Sequence, residues 1–121
     1  MNEPETNLLH AAADHLRTRG FTVAIEHPRR EERDQHVDAW FRIGKDRHEV
    51  GYAVEVKRQV TPHTLGAVVA QLKHLGQITK KPFLLVTNHI TPPVADQLTA
   101  VDQQFVDAAA MPTSTHRASS F

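Results

Sequence analysis

There is no cysteine among the 121 residues of this chain. Its absence excludes a disulfide framework, a thiol nucleophile and a thiolate-held zinc, and it suits a reducing compartment. An excess of charge is missing too, because 14 basic and 14 acidic side chains cancel. The chain therefore cannot hold DNA by net charge, and any nucleic-acid contact must be a local patch. No apolar run approaches the length of a membrane span, and the opening residues, Met1-Asn2-Glu3-Pro4-Glu5, are acidic where a secretory leader is basic. A cytoplasmic protein without a membrane partner is expected. Glycine-rich phosphate loops, a Gly-x-Ser-x-Gly elbow and internal repeats are lacking as well.

What is present is an ordinary globular composition, with 40% hydrophobic residues. The length allows one domain with one core, expected over residues 1–110. From Met111 onward the periodicity ends in a run of Ser, Thr, Ala and Pro, which reads as a disordered tail over 111–121. Nine histidines are many for this length, but they are scattered, with no His-x-x-x-His pair. Surface or packing roles fit them better than a metal cluster.

Leu8, Leu9, Ala12, Ala13 and Leu16 recur at helical spacing from about Pro4 to Arg19, and Gly20 is placed to cap that helix. Phe21, Val23 and Ile25 then alternate as a strand. Arg29 to Gln35 carries six charges and no apolar residue, so it reads as an exposed loop or a solvated strand extension. The sharper alternative has Arg29, Arg30 and Arg33 reaching phosphates. A second strand is expected over His36 to Ile43, with Val37, Ala39, Phe41 and Ile43 on one face and Asp38, Trp40 and Arg42 on the other. Turn chemistry at Gly44 to Arg47 leads into a third strand, Val50 to Lys57.

Thr61-Pro62 starts a helix whose buried stripe is Leu65, Val68, Val69, Leu72 and Leu75, with Gly76 as its stop. Gln71, on its flank, either is solvated or turns back toward the third strand. Pro82 to Thr87 is a continuous apolar run, the mark of a doubly buried strand parallel to the third. Another helix opens at Thr91-Pro92-Pro93 with Val94, Leu98 and Val101 inward, and Phe105-Val106 forms a short edge strand.

The chemistry concentrates at Tyr52 to Arg58. Glu55 and Lys57 share one face of the third strand, while Val54 and Val56 point the other way. Across a tight hairpin, facing residues have constant summed numbers, and the turn centred on Asp46-Arg47 places Asp38 beside Glu55. Two facing carboxylates cost roughly 0.2–1 kcal/mol unless a cation joins them. Oxygen donors favour Mg²⁺ or Mn²⁺ over zinc. The bland alternative is a surface charge cluster neutralised by Lys57 and Arg42.

The order helix, three-strand meander, helix, strand, with Asp38 on the second strand and Glu55-Val56-Lys57 on the third, resembles the PD-(D/E)XK superfamily of restriction-endonuclease-like proteins over roughly residues 5 to 107. The wording Ala53 to Arg58, Pro82 to Thr87 and Phe105 to Ala109 is also similar to the N-terminal part of antitoxin-like bacterial proteins of the type IV, abortive-infection class. The first resemblance implies an α/β fold with an αβββαβ core and helices on both faces of a mixed sheet, here followed by a C-terminal helix and an edge strand. It further implies Asp38, Glu55 and the Val56 carbonyl as Mg²⁺ ligands and Lys57 as the residue that orients or deprotonates the attacking water. Val37 stands where the family name has proline. Glu3 and Glu5 lie at the start of the first helix, so Glu26 is the candidate for the family's helix glutamate.

Two functions follow as expectations. One is an Mg²⁺-dependent nuclease hydrolysing DNA phosphodiester bonds, with Asp38, Glu55 and Lys57 catalytic, Arg58 joining Arg29, Arg30 and Arg33 as DNA contacts, and a homodimer needed to cut both strands. The other is a nuclease-fold module, weakly active or inactive, that binds DNA or a protein partner as a regulator of the toxin–antitoxin or plasmid-associated kind.

Overall fold

The computed structural model describes residues 2–109 and 119–121. Helix α1 (Glu3–Thr18) is started by Asn2, whose side chain accepts the Glu5 amide, and ended by Gly20 at φ 94°. There the Phe21 amide reaches back to the Leu16 carbonyl and the Gly20 amide to that of Arg17, the paired closure that a left-handed glycine permits. Strand β1 (Thr22–Glu26) follows, then a short helix α2 (Arg30–Asp34), then the hairpin β2 (Ala39–Lys45) and β3 (His48–Val56). Helix α3 (Pro62–Thr79), strand β4 (Phe83–Thr87), helix α4 (Pro92–Ala100) and strand β5 (Gln104–Asp107) complete the order.

The strands form one mixed sheet in the order β1-β2-β3-β4-β5. β1, β2 and β3 are a meander of antiparallel pairs, and β3, β4 and β5 run parallel. Each parallel step is made by a crossover helix, α3 or α4, as parallel strands require. Helices cover both faces. On one, Leu9, Ala12, Ala13 and Leu16 of α1 close over Phe41, Val54 and Val86. On the other, Leu65, Leu72, Val94 and Leu98 close over Ala53, Leu85 and Phe105. β4 is buried along its whole length, which is why its sequence shows no alternation.

Four local expectations are corrected. The charged segment after Arg29 is not a loop: it makes the turn and a half of α2, with Glu32 accepting the Arg29 amide at 2.8 Å. β2 begins at Ala39 and not His36, because His36 adopts φ 67° and turns the chain. α3 runs past Gly76 to Thr79 and stops at the left-handed Lys80, since one interior glycine costs only about 1 kcal/mol. Val101 lies exposed at the end of α4, where Ala95 is buried instead. The expectation of a disordered tail falls mainly on residues 111–118, outside the described residues. Ser119 to Phe121 depart from it: Ser119 bridges Val106 at the β5 edge, and the Phe121 ring packs edge-on against Phe21 and Tyr52.

The hairpin places Gly44 against β1. A methyl group there would stand 2.7 Å from the Thr22 hydroxyl and 3.3 Å from the His48 carbonyl. We expect Gly44→Ala to cost about 1–3 kcal/mol through this overpacking, read as a lower urea midpoint at unchanged slope. An unaltered midpoint would show that β1 does not approach β2 so closely.

Candidate functional site

The β2–β3 register runs from Lys45 opposite His48 to Ala39 opposite Val54, so the next pair in line is Asp38 and Glu55. Regular pairing stops there. The Asp38 amide donates to the Val54 carbonyl at 2.8 Å, and the Val56 amide donates to Oδ2 of Asp38 at 2.7 Å. A side chain thus takes the place that the next ladder carbonyl would fill, on the amide between Glu55 and Lys57. The strict alternation expected through Val37, Ala39 and Phe41 breaks at this point, because Val37 packs in the α3–α4 core and Ala39 in the α1 core. Asp38 consequently turns toward the N-terminal half of α1, not onto the face of Trp40.

Glu55 is on the α3–α4 side by the alternation of Ala53, Val54 and Val56, and it is 3% exposed. Lys57 Nζ lies 3.0 Å from its Oε1, with a third of the lysine side chain exposed. Oε2 is buried without a hydrogen-bond partner. Buried carboxylate oxygens are almost always paired. Thr87, two residues past Leu85, the register partner of Glu55, shares this face and has a buried hydroxyl that is also without a partner. The neighbouring buried acid, Asp107, is not available: its oxygens accept the amides of His89, Ile90 and Ala109 at 2.8–3.0 Å.

Asp38 has a carboxyl pushed above the ordinary aspartate range by burial. The Val56 amide opposes this rise, the negative charge of Glu5 adds to it, and the Lys57 ammonium opposes it. Glu5 therefore lies within electrostatic reach of Asp38, and Lys57 links Asp38 to Glu55. Glu5 was passed over in the sequence because it opens the first helix, yet that start is fixed by Asn2 and brings Glu5 within electrostatic reach of Asp38. The cap itself, Asn at the position before Glu3-Pro4, was the available signal.

The other candidates separate clearly. Glu26 is ion-paired with Arg42 and half-exposed, and Arg42 also reaches Glu49 at 3.5 Å, so Glu26 belongs to a cross-strand charge ladder. Gln71 is half-buried on α3. Arg29 and Arg30 are exposed at the start of α2, and Arg58 is exposed just after the site strand. Arg33 instead lines a cavity of about 570 Å³ that also has Thr6, His10, His27 and Asp38 on its wall.

Asp38 and Glu55 are oxygen donors of the kind a hard divalent cation takes, and magnesium commonly takes only one or two protein carboxylates. The two leave the strand ends on opposite sides of the sheet, Asp38 toward α1 and Glu55 toward α3 and α4, with Lys57 within electrostatic reach of both. Among the described residues no three His, Asp or Glu side chains gather as a metal-binding group. None of the helices in the described residues is long and apolar enough to cross a membrane. No protein-family model matches the chain, and no curated protein or solved structure matches it either.

Proposed function

We propose that this chain is a magnesium-dependent nuclease-like protein with a restriction-endonuclease-like core, acting on DNA phosphodiester bonds. The element order α1-β1-β2-β3-α3-β4 supports the fold part of the reading, with α2, α4 and β5 as additions. The carrying observation is Glu55: a buried carboxylate with one oxygen held by Lys57 and the other without a partner, one residue from the amide that holds Asp38. Asp38 and Glu55 would hold Mg²⁺ or Mn²⁺, with the Val56 carbonyl beside them at the end of β3, and one ion joins the two carboxylates when Asp38 turns from the α1 side toward Glu55. A cation there supplies Lewis acidity and a water of lowered pKa. Lys57, partly exposed, can orient that water and offset phosphate charge. Glu5 takes the place of the helix acid, a role its electrostatic contact with Asp38 favours over Glu26. A domain of this size does not enclose a duplex, so double-strand cleavage calls for a homodimer.

A second reading, a nuclease-fold module that binds DNA or a protein partner without cutting, draws on the absence of a three-acid group among the described residues and on the ion pair that engages Lys57. One experiment separates the two. Mn²⁺ titration followed by NMR should broaden the amides around Asp38 and Glu55, and cleavage of plasmid and branched DNA should fall about a hundredfold or more in Lys57→Ala. If the ion leaves both regions untouched, the metal site is wrong. If it binds and wild-type protein leaves every DNA intact, the binding module stands.

A further inference from the structure

We propose that the cavity between α1, β1 and α2 receives a single unstacked nucleotide of a DNA strand end, with its phosphate held by Arg33, His10 and His27. The choice of a nucleotide over other phosphates rests on the nuclease-like reading; the anion site itself rests on the cavity.

Its volume of about 570 Å³ lies within the range of roughly 300–1,000 Å³ typical of small-ligand sites. A duplex does not enter a space of that size, whereas a nucleotide taken out of its stack does. The wall is divided by chemistry. Leu9 from α1 and Ile25 from β1 offer an apolar surface for a base or sugar, while His10 of α1, His27 of the segment after β1 and Arg33 of α2 line the same cavity with nitrogen donors. Arginine in particular suits the two-pronged hydrogen bonding of a phosphate. Among the described residues Arg33 makes no ion pair or side-chain hydrogen bond, in contrast to Arg29, which contacts Glu32, and Arg42, which contacts Glu26 and Glu49. It is a cation on a cavity wall without an internal partner among the described residues.

Asp38 is the link to the cutting site. It forms part of the same wall and bonds the amide between Glu55 and Lys57. A nucleotide whose phosphate meets Arg33 therefore shares its cavity with Asp38. The Asp38 charge opposes an anion there until a cation is bound. Of the four arginines that composition offers as DNA contacts, this geometry selects Arg33.

The test is fluorescence anisotropy of short labelled single strands in the presence of a chelator, carrying a 5′-phosphate, a 3′-phosphate or neither, with a blunt duplex beside them. One phosphorylated end should bind about tenfold tighter than the unphosphorylated strand, and which end it is identifies the polarity of the substrate. Arg33→Ala should remove about that tenfold, while Arg47→Ala, in the exposed turn between β2 and β3 and away from the cavity, should leave binding near wild type. Asp38→Asn should tighten binding without metal. Equal losses in Arg33→Ala and Arg47→Ala, indifference to the phosphate, or preference for the duplex would each overturn the proposal. All variants are first matched to wild type by their amide spectra, since Arg33 and Arg47 are exposed and their replacement leaves the core untouched. Mn²⁺ titration on the same samples separates the two readings. Strand ends that bind through Arg33 in a protein whose Glu55 region ignores Mn²⁺ leave the pocket standing and the nuclease reading fallen; the reverse result overturns the pocket alone.

Discussion

Lys57→Ala is expected to destabilise the protein by about 3 kcal/mol, the lower end of the cost of removing one member of a buried ion pair. Glu55 is 3% exposed, so without the ammonium its charge is stranded in the core with neither oxygen partnered. The reverse change is mild. Glu55→Gln removes the buried charge and keeps the shape, and Lys57, a third exposed, turns to solvent, so a cost within about 1 kcal/mol follows. The double variant should recover most of the loss, giving a coupling of about 2 kcal/mol in urea unfolding.

The same variant reports on the cation. Mg²⁺ at millimolar concentration should raise the melting temperature of Lys57→Ala more than that of wild type, because a cation at Glu55 replaces the missing ammonium. Additive single variants would mean that the Glu55–Lys57 pair does not sit in the core.

How much of this was legible in the sequence varies by element. The hairpin register could be counted from the Asp46-Arg47 turn, because two-residue loops fix pairing and Lys45 does close against His48. The parallel β4 was legible because burial on both faces erases alternation. The face of Asp38 was not. Strand alternation extends backward through Val37 only if the backbone stays extended, and the left-handed His36 that follows α2 prevents this. A helix of five charged residues has no apolar stripe to announce it, and its stability comes from local capping at Glu32. Glu5 was hidden for another reason: where a helix start lies over a sheet is a tertiary fact, and no spacing records it. The C-terminal Phe121 was discounted with its low-complexity neighbours, although an aromatic ring in such a stretch has two aromatic partners to find, Phe21 and Tyr52.

Asp38→Asn should raise stability at neutral pH while removing cation binding and slowing cleavage about a hundredfold or more. Burial pushes this carboxyl above the ordinary aspartate range, and the Glu5 charge adds to the rise. The folded state thus binds the Asp38 proton more tightly than the unfolded chain does. The charge therefore costs stability above the raised folded value, and the cost vanishes as pH falls below the unfolded value of about 3.9. Asparagine keeps an oxygen for the Val56 amide and carries no charge to desolvate. The gain should be about 0.5–1 kcal/mol at pH 7, modest because solvent screens part of the half-buried charge, and it should shrink toward pH 4. A carboxylate kept only to cap the Val56 amide behaves otherwise: its replacement lowers stability at pH 7 and leaves Mn²⁺ binding intact. Urea unfolding between pH 4 and pH 8, run beside the Mn²⁺ titration, decides between them, because a residue that weakens the fold it sits in and binds the ion is retained for what it holds.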